Sequence, residues 1–152
     1  MTVEEKVEIT DSEWEIMRVV WTLGQATSKE VVEVLQEKKD WKPATTKTFI
    51  GRLVKKGVLL AEPQGNKFIY SAAISEEGSV KSATDRLFGQ ICSRAVGKTI
   101  AEMISKAELS HEDIRLLAEA LEAKAPEAVD EVACNCVPGQ CKCKEHHQIS
   151  CH

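Results

Sequence analysis

The chain has 152 residues, room for one compact domain with an appendage or for two small domains, with 43% hydrophobic and only 5% aromatic residues and a formal net charge of −4. No run approaches the ~18 apolar residues of a membrane span. The acidic start Met1–Glu8 lacks the basic and apolar regions of a secretory signal, so a cytoplasmic location without a membrane partner is expected.

In chain order, Thr10 and Glu13 have capping-box spacing ahead of a helix whose apolar stripe, Trp14, Met17, Val20 and Trp21, is ended by Gly24. Ser28 is placed to cap a second helix through Val31, Val32 and Leu35. A third begins after Lys42 and Pro43 and stops at Gly57. Val58–Glu62 and Phe68–Ala72 have strand composition on either side of Pro63–Lys67, which specifies a hairpin. Three short helices followed by a hairpin make a winged helix-turn-helix over residues 1–73.

From Glu76 to Ser105 one long helical pattern runs through Val80, Leu87, Ile91, Cys92, Val96, Ile100 and Ile104. Ser110 and Asp113 then cap a further helix carrying Leu116, Leu117 and Leu121. Residues 74–125 thus form a helical region whose apolar face exceeds what the head can bury. A second copy of the chain, a homodimer, is its simplest cover. Trp14, Trp21 and Trp41 read as core or interface anchors, and Cys92 as a small core residue. Residues 126–152 supply a polar linker and a flexible cysteine-rich tail. The expected fold class is mainly α with a small β-hairpin.

The modest net charge conceals an island. Between Lys38 and Lys67, eight Lys/Arg face only Asp40 and Glu62, a local charge of +6 against −10 for the remainder. That is an electrostatic footprint for nucleic acid. With Phe49, Ile50, Leu53 and Val54 turned to the core and Thr46 also inward, the opposite face of the third helix carries Ala44, Thr48, Gly51, Arg52 and Lys55, with Thr45 and Lys47 on its shoulders. Thr45 and Thr48 suit base edges in a major groove, each hydroxyl able to bond a base and each methyl able to pack on thymine. Arg52 can reach a guanine or a phosphate. Lys47, Lys55, Lys56 and, at the wing tip, Lys67 suit backbone phosphates. A solvated polar face on a three-helix core is the bland alternative.

The tail contains CNCVPGQCKC over residues 134–143. In an extended C-x-C, positions i and i+2 point the same way, so Cys134 with Cys136 and Cys141 with Cys143 each present two sulfurs on one side. Pro138 and Gly139 occupy the second and third positions of a type II turn that folds the pairs together. Thiolates favour Cu(I) and Zn(II), and four can close a tetrahedral zinc site. The tight C-x-C spacing favours bridging of two ions and so monovalent copper. A disulfide staple is disfavoured in a reducing compartment. His146, His147, Cys151 and His152 are further candidates, or simply a solvated chain end.

Residues Ile9–Trp21 (ITDSEWEIMRVVW) and Trp41–Gly57 (WKPATTKTFIGRLVKKG) resemble the penicillinase-repressor family of winged-helix regulators. With the cysteine tail, the likeness narrows to the copper-responsive repressors of the CopY type. This resemblance implies a homodimer on a pseudo-palindromic, double-stranded operator of copper-homeostasis genes. It implies Zn(II) in the DNA-holding form and Cu(I) as the inducer that replaces zinc and releases DNA. A copper chaperone becomes a candidate partner. Base-reading positions of the family fall on Thr45 and Thr48 with Arg52 in support, and metal ligands on Cys134, Cys136, Cys141 and Cys143. Antibiotic-responsive relatives carry a polar residue at the position of Ala44 and often at Gly51, so some of their contacts are missing here. Rival functions are a metallothionein-like buffer and a repressor sensing Zn(II), Cd(II) or oxidants. An enzyme is not expected, since no acid/base pair, triad or phosphate loop occurs and four thiolates leave zinc no open position.

Overall fold

The structure, a computed structural model, describes residues 8–143. The chain divides into two compact units, Met1–Thr84 and Asp85–His152.

The first unit is a winged helix-turn-helix. Helix α1 (Asp11–Leu23) opens on the expected capping box: the Thr10 hydroxyl accepts from the Glu13 N–H at 3.2 Å, and the Glu13 carboxylate accepts from the Thr10 N–H at 3.0 Å. Strand β1 (Gln25–Ala26) follows, then α2 (Ser28–Lys39). Its cap is Thr27, not Ser28, because Glu30 lies three residues after Thr27 and closes a second reciprocal box. Helix α3 (Pro43–Lys56) starts on Pro43, whose missing N–H would have been unpaired there in any case.

The end of α3 is equally well defined. Gly57 adopts φ 81°, its N–H reaches the Val54 carbonyl, and the Val58 N–H reaches back to Leu53 at 3.0 Å. This is a Schellman motif, and the buried Val58 and Leu53 side chains supply its apolar contact. Strands β2 (Leu59–Gln64) and β3 (Lys67–Ala72) pair antiparallel from Leu59–Ala72 to Gln64–Lys67. Gly65, at φ 65°, takes the first turn position as a two-residue II′ hairpin requires. β1 adds to the other side of β3, giving the order β1-β3-β2. Pro63 therefore sits on an edge strand, where its lack of a donor is tolerated.

Ile16, Met17 and Val20 of α1, Val31 and Leu35 of α2, Ile50 and Leu53 of α3, and Val58 and Leu59 form the buried core of this unit. Trp21 and Trp41 pack at its margin as anchors, the Trp21 indole N–H donating to the Ile74 carbonyl at 2.9 Å.

The second stretch departs from the single long helix expected between Glu76 and Ser105. Helix α4 (Glu76–Gln90) ends before Cys92, a 3₁₀ turn covers Ser93–Ala95, and α5 (Val96–Lys106) follows. In a continuous helix the Ser93 N–H would bond the Gly89 carbonyl. Here it donates to the Asn135 side-chain oxygen at 2.8 Å, and the Ser93 hydroxyl donates to the Ala133 carbonyl at 2.5 Å. The tail thus supplies a partner for the Ser93 N–H that the helix leaves unpaired. Helix α6 (His111–Lys124) starts on the Ser110–Asp113 box as expected. None of the described helices is long and apolar enough to cross a membrane.

Candidate DNA-binding face and metal centre

The exposed face of α3 carries Ala44, Thr45, Lys47, Thr48, Gly51, Arg52 and Lys55, while Thr46, Ile50 and Leu53 are buried. Six of the seven residues assigned to DNA from sequence (Thr45, Lys47, Thr48, Arg52, Lys55 and Lys67) are exposed, five on this helix and Lys67 at the hairpin tip. An open groove of about 530 Å³ separates helix from wing, lined by Lys47 and Gly51 of α3 and Phe68 and Tyr70 of β3. No Cβ contact restricts Gly51, so its presence leaves open space on this face.

Local contacts hold two of these side chains ready. The Arg52 guanidinium lies 5.4 Å from the centre of the Phe49 ring, which packs at 5.2 Å on Trp41. A cation–π contact of this kind fixes the arginine stem and leaves its outer N–H groups free to point outward. The Thr48 hydroxyl donates to the Ala44 carbonyl at 2.9 Å. With its proton so engaged, the Thr48 side chain presents an acceptor and a methyl group rather than a donor.

Lys56 behaves differently from the sequence expectation of a phosphate contact. Its ammonium lies 2.5 Å from the Glu13 carboxylate and 2.9 Å from the Glu8 carbonyl. Glu13 is 1% exposed. Burial pushes its carboxyl upward, but the hydrogen bond from Lys56 and that from the Thr10 N–H outweigh burial and hold it below the ordinary range. Lys56 is spent inside the head, clamping α3 to α1. Thr46, inward as expected, keeps a buried hydroxyl with no partner among the described residues.

The cysteine cluster, a candidate metal centre, lies within the second unit. The Val137–Gln140 turn forms as expected: Gly139 has φ 99° and the Gln140 N–H bonds the Val137 carbonyl at 3.1 Å. It is reinforced by the Gln140 side-chain oxygen accepting from the Val137 N–H at 3.0 Å. Cys134 and Cys136 are buried, and Cys92, Cys141 and Cys143 are half-buried around them. Hence this part of the tail is packed rather than loose.

Sulfur–sulfur distances are 3.4 Å for Cys134–Cys141, 3.5 Å for Cys92–Cys134 and 3.6 Å for Cys92–Cys143. These are far beyond the ~2.05 Å of a disulfide. Cys92, Cys134, Cys136 and Cys141 place their sulfurs within 4.8 Å of one another. Such a soft, crowded donor set fits Zn(II) or Cu(I). The Cys136 N–H also points at the Cys134 sulfur, at 3.4 Å, a hydrogen bond that a thiolate strengthens.

Two of the five thiols are held in the protonated form by their surroundings. Burial, then the neighbouring Cys92, Cys141 and Cys134, push the Cys136 thiol well above its usual range. Contact with Cys141, then burial, then Cys92 and Cys134 do the same to Cys143. Sequence reasoning found four of the five clustered cysteines and placed Cys92 in an apolar core. The candidates His146, His147, Cys151 and His152 lie outside the described residues.

The family profile described as Penicillinase repressor matches residues 9–123, ending ahead of the cysteine tail. An uncharacterised 16.5 kDa protein of the ptsI 3′ region in Latilactobacillus sakei is 46% identical over 138 residues, covering 91% of this chain and 94% of that relative. The methicillin resistance regulatory protein MecI of Staphylococcus aureus is 30% identical over 118 residues, covering 77% of this chain and 95% of its own length. A solved structure of the CopR repressor is similar at 38% identity over 45% of this chain and 100% of that chain, with a TM-score of 0.39.

Proposed function

The chain belongs to the penicillinase repressor family, a family of transcriptional repressors, and from that premise we propose that it represses copper-homeostasis genes and releases their operator in response to Cu(I). The observation that carries this reading is the cluster of soft sulfur donors attached to a winged-helix head. In a repressor of antibiotic resistance such a cluster has no evident task. In a metal sensor it is the receptor.

The DNA-binding half follows from the exposed α3 face. Thr45 and Thr48 read base edges, Arg52 contacts a guanine or phosphate, and Lys47, Lys55 and Lys67 hold the backbone. Two heads are brought to a pseudo-palindrome by dimerisation through the second unit. Supporting this, α5 and α6 bury no residue within one chain, while Ile100, Met103, Ile114, Leu116 and Leu121 stay exposed. An apolar surface of that size calls for a partner, and a second copy gives the two-fold symmetry a palindrome needs.

Zn(II), bound by the tail thiolates, would supply a closed tetrahedral tie that keeps the tail packed. Two Cu(I) on four thiolates carry the same net charge as one Zn(II), so charge cannot be the signal. Shape can. Monovalent copper accepts low coordination and bridging sulfurs, and the thiolates rearrange to hold it. The dimer needs only a different metal affinity in its two shapes for operator binding to shift. The compartment is the reducing cytoplasm, with a copper chaperone as a donor of the ion.

The test is anisotropy of a labelled operator duplex bound by zinc-loaded protein. Release on adding Cu(I), with Cd(II) leaving the complex intact, is the expected outcome. Equal release by both metals would turn the reading toward a general thiophilic-metal sensor. The absence of salt-sensitive binding to any palindromic duplex would leave only a metal buffer.

A further inference from the structure

We propose that Cys92 is itself a metal ligand, so that the site is built from two separate segments of the chain and not from the tail alone. This inference rests on the metal-sensing reading and sharpens which atoms perform it.

Three observations converge on the position. The Cys92 sulfur touches both C-x-C pairs, at 3.5 Å to Cys134 and 3.6 Å to Cys143. It also belongs to the four sulfurs lying within 4.8 Å of one another, together with Cys134, Cys136 and Cys141. Finally, the two residues that follow it are fastened to the tail as well. Ser93 bonds Asn135 and Ala133, and Arg94 pairs with Glu131.

A cysteine merely filling a core would need apolar neighbours, yet the buried cluster around Cys92 consists of cysteines. The backbone is arranged to deliver it. The helical path stops at Gln90, and Cys92 has φ −60° and ψ 132°, an extended conformation just before the 3₁₀ turn. Breaking a helix whose apolar pattern continues forfeits backbone bonds, and here the Ser93 N–H finds its replacement partner in the tail.

The arrangement divides the five sulfurs into roles. Cys92, Cys134, Cys136 and Cys141 form the mutually close set that closes on one divalent ion in tetrahedral geometry. Cys143 stands beside Cys92 as a fifth sulfur, available when monovalent ions are bridged by more than one thiolate. Metal binding then displaces the thiol protons and ties the tail to the junction between α4 and α5. Exchange of the ion is felt at that junction as well as in the tail.

The test uses Co(II), a spectroscopic stand-in for Zn(II), on the full-length wild type, Cys92→Ser, Cys92→His and Cys143→Ser, with no DNA present. In Cys92→Ser the sulfur-to-cobalt charge-transfer intensity is expected to fall by about a quarter, one ligand in four, and Co(II) affinity by at least about tenfold. Cys92→His should recover affinity, with its ligand-field bands shifted to higher energy by the nitrogen donor. Cys143→Ser should keep the wild-type spectrum. An unchanged spectrum in both Cys92 variants, with the lost intensity appearing in Cys143→Ser, would overturn the inference and leave the copper-sensing reading standing. A wild type that gives no thiolate–cobalt bands at all would overturn both.

Discussion

Lys56 and Glu13 show how one residue can be withdrawn from the role proposed for its neighbours. A lysine at the end of the basic helix is a natural phosphate contact, but its ammonium closes on a carboxylate that is 1% exposed. Removing either partner leaves the other without its ion pair. For a pair with one end still partly wet, Lys56→Met is expected to cost the head about 2 kcal/mol, below the 3–5 of a fully buried pair. Urea unfolding at neutral pH measures it. The pH dependence has a definite sign. The Glu13 carboxyl is held below its ordinary value of 4.5, so its contribution is complete above that value and lost as pH falls through the lowered one. The stability gap between wild type and Glu13→Gln should therefore be widest near neutrality and shrink in acid below about pH 4.5.

At the scale of elements, α3 and the hairpin act as separate contributors to one charged face. Lys55 on the helix and Lys67 at the wing tip are both exposed. Lys55→Ala and Lys67→Ala are each expected to reduce the slope of log K against log salt by about one, with similar losses on matched and mismatched operators. Arg52→Ala should differ between those operators if the arginine reads a base, and a direct titration on both duplexes separates the two behaviours. The start of α1, the stop of α3 at Gly57 and the type II turn at Val137–Gln140 were all legible in the sequence. Each is set by residues within a few positions of one another, where capping and φ preferences act. β1 was not legible, because two residues have no period and Gln25–Ala26 becomes a strand only through β3. The break after Gln90 was hidden for a related reason. The apolar spacing runs straight through it, and the bonds that make it tolerable come from Ala133 and Asn135, some 40 residues on. Missing that break also meant assigning Cys92 to a core.

Among the described residues, two kinds of surface stand open to solvent. The head presents a polar, basic helix, while α5 and α6 present apolar side chains, Leu116 and Leu121 at 65% and 64% exposure. A double variant, Met103→Glu with Leu121→Glu, is expected to shift the chain to monomer in sedimentation and to weaken binding to a two-half-site operator far more than to a half-site. In the proposed reading, the sulfur cluster is the receptor for the chemical signal. Its direct trial is operator anisotropy during a Cu(I) titration, run on zinc-loaded wild type and on full-length protein with Cys134, Cys136, Cys141 and Cys143 all changed to Ser. The account expects wild type to let go of the duplex, and the variant's binding, whatever its starting level, to be unmoved by copper. Release from both proteins at the same copper concentration would contradict it.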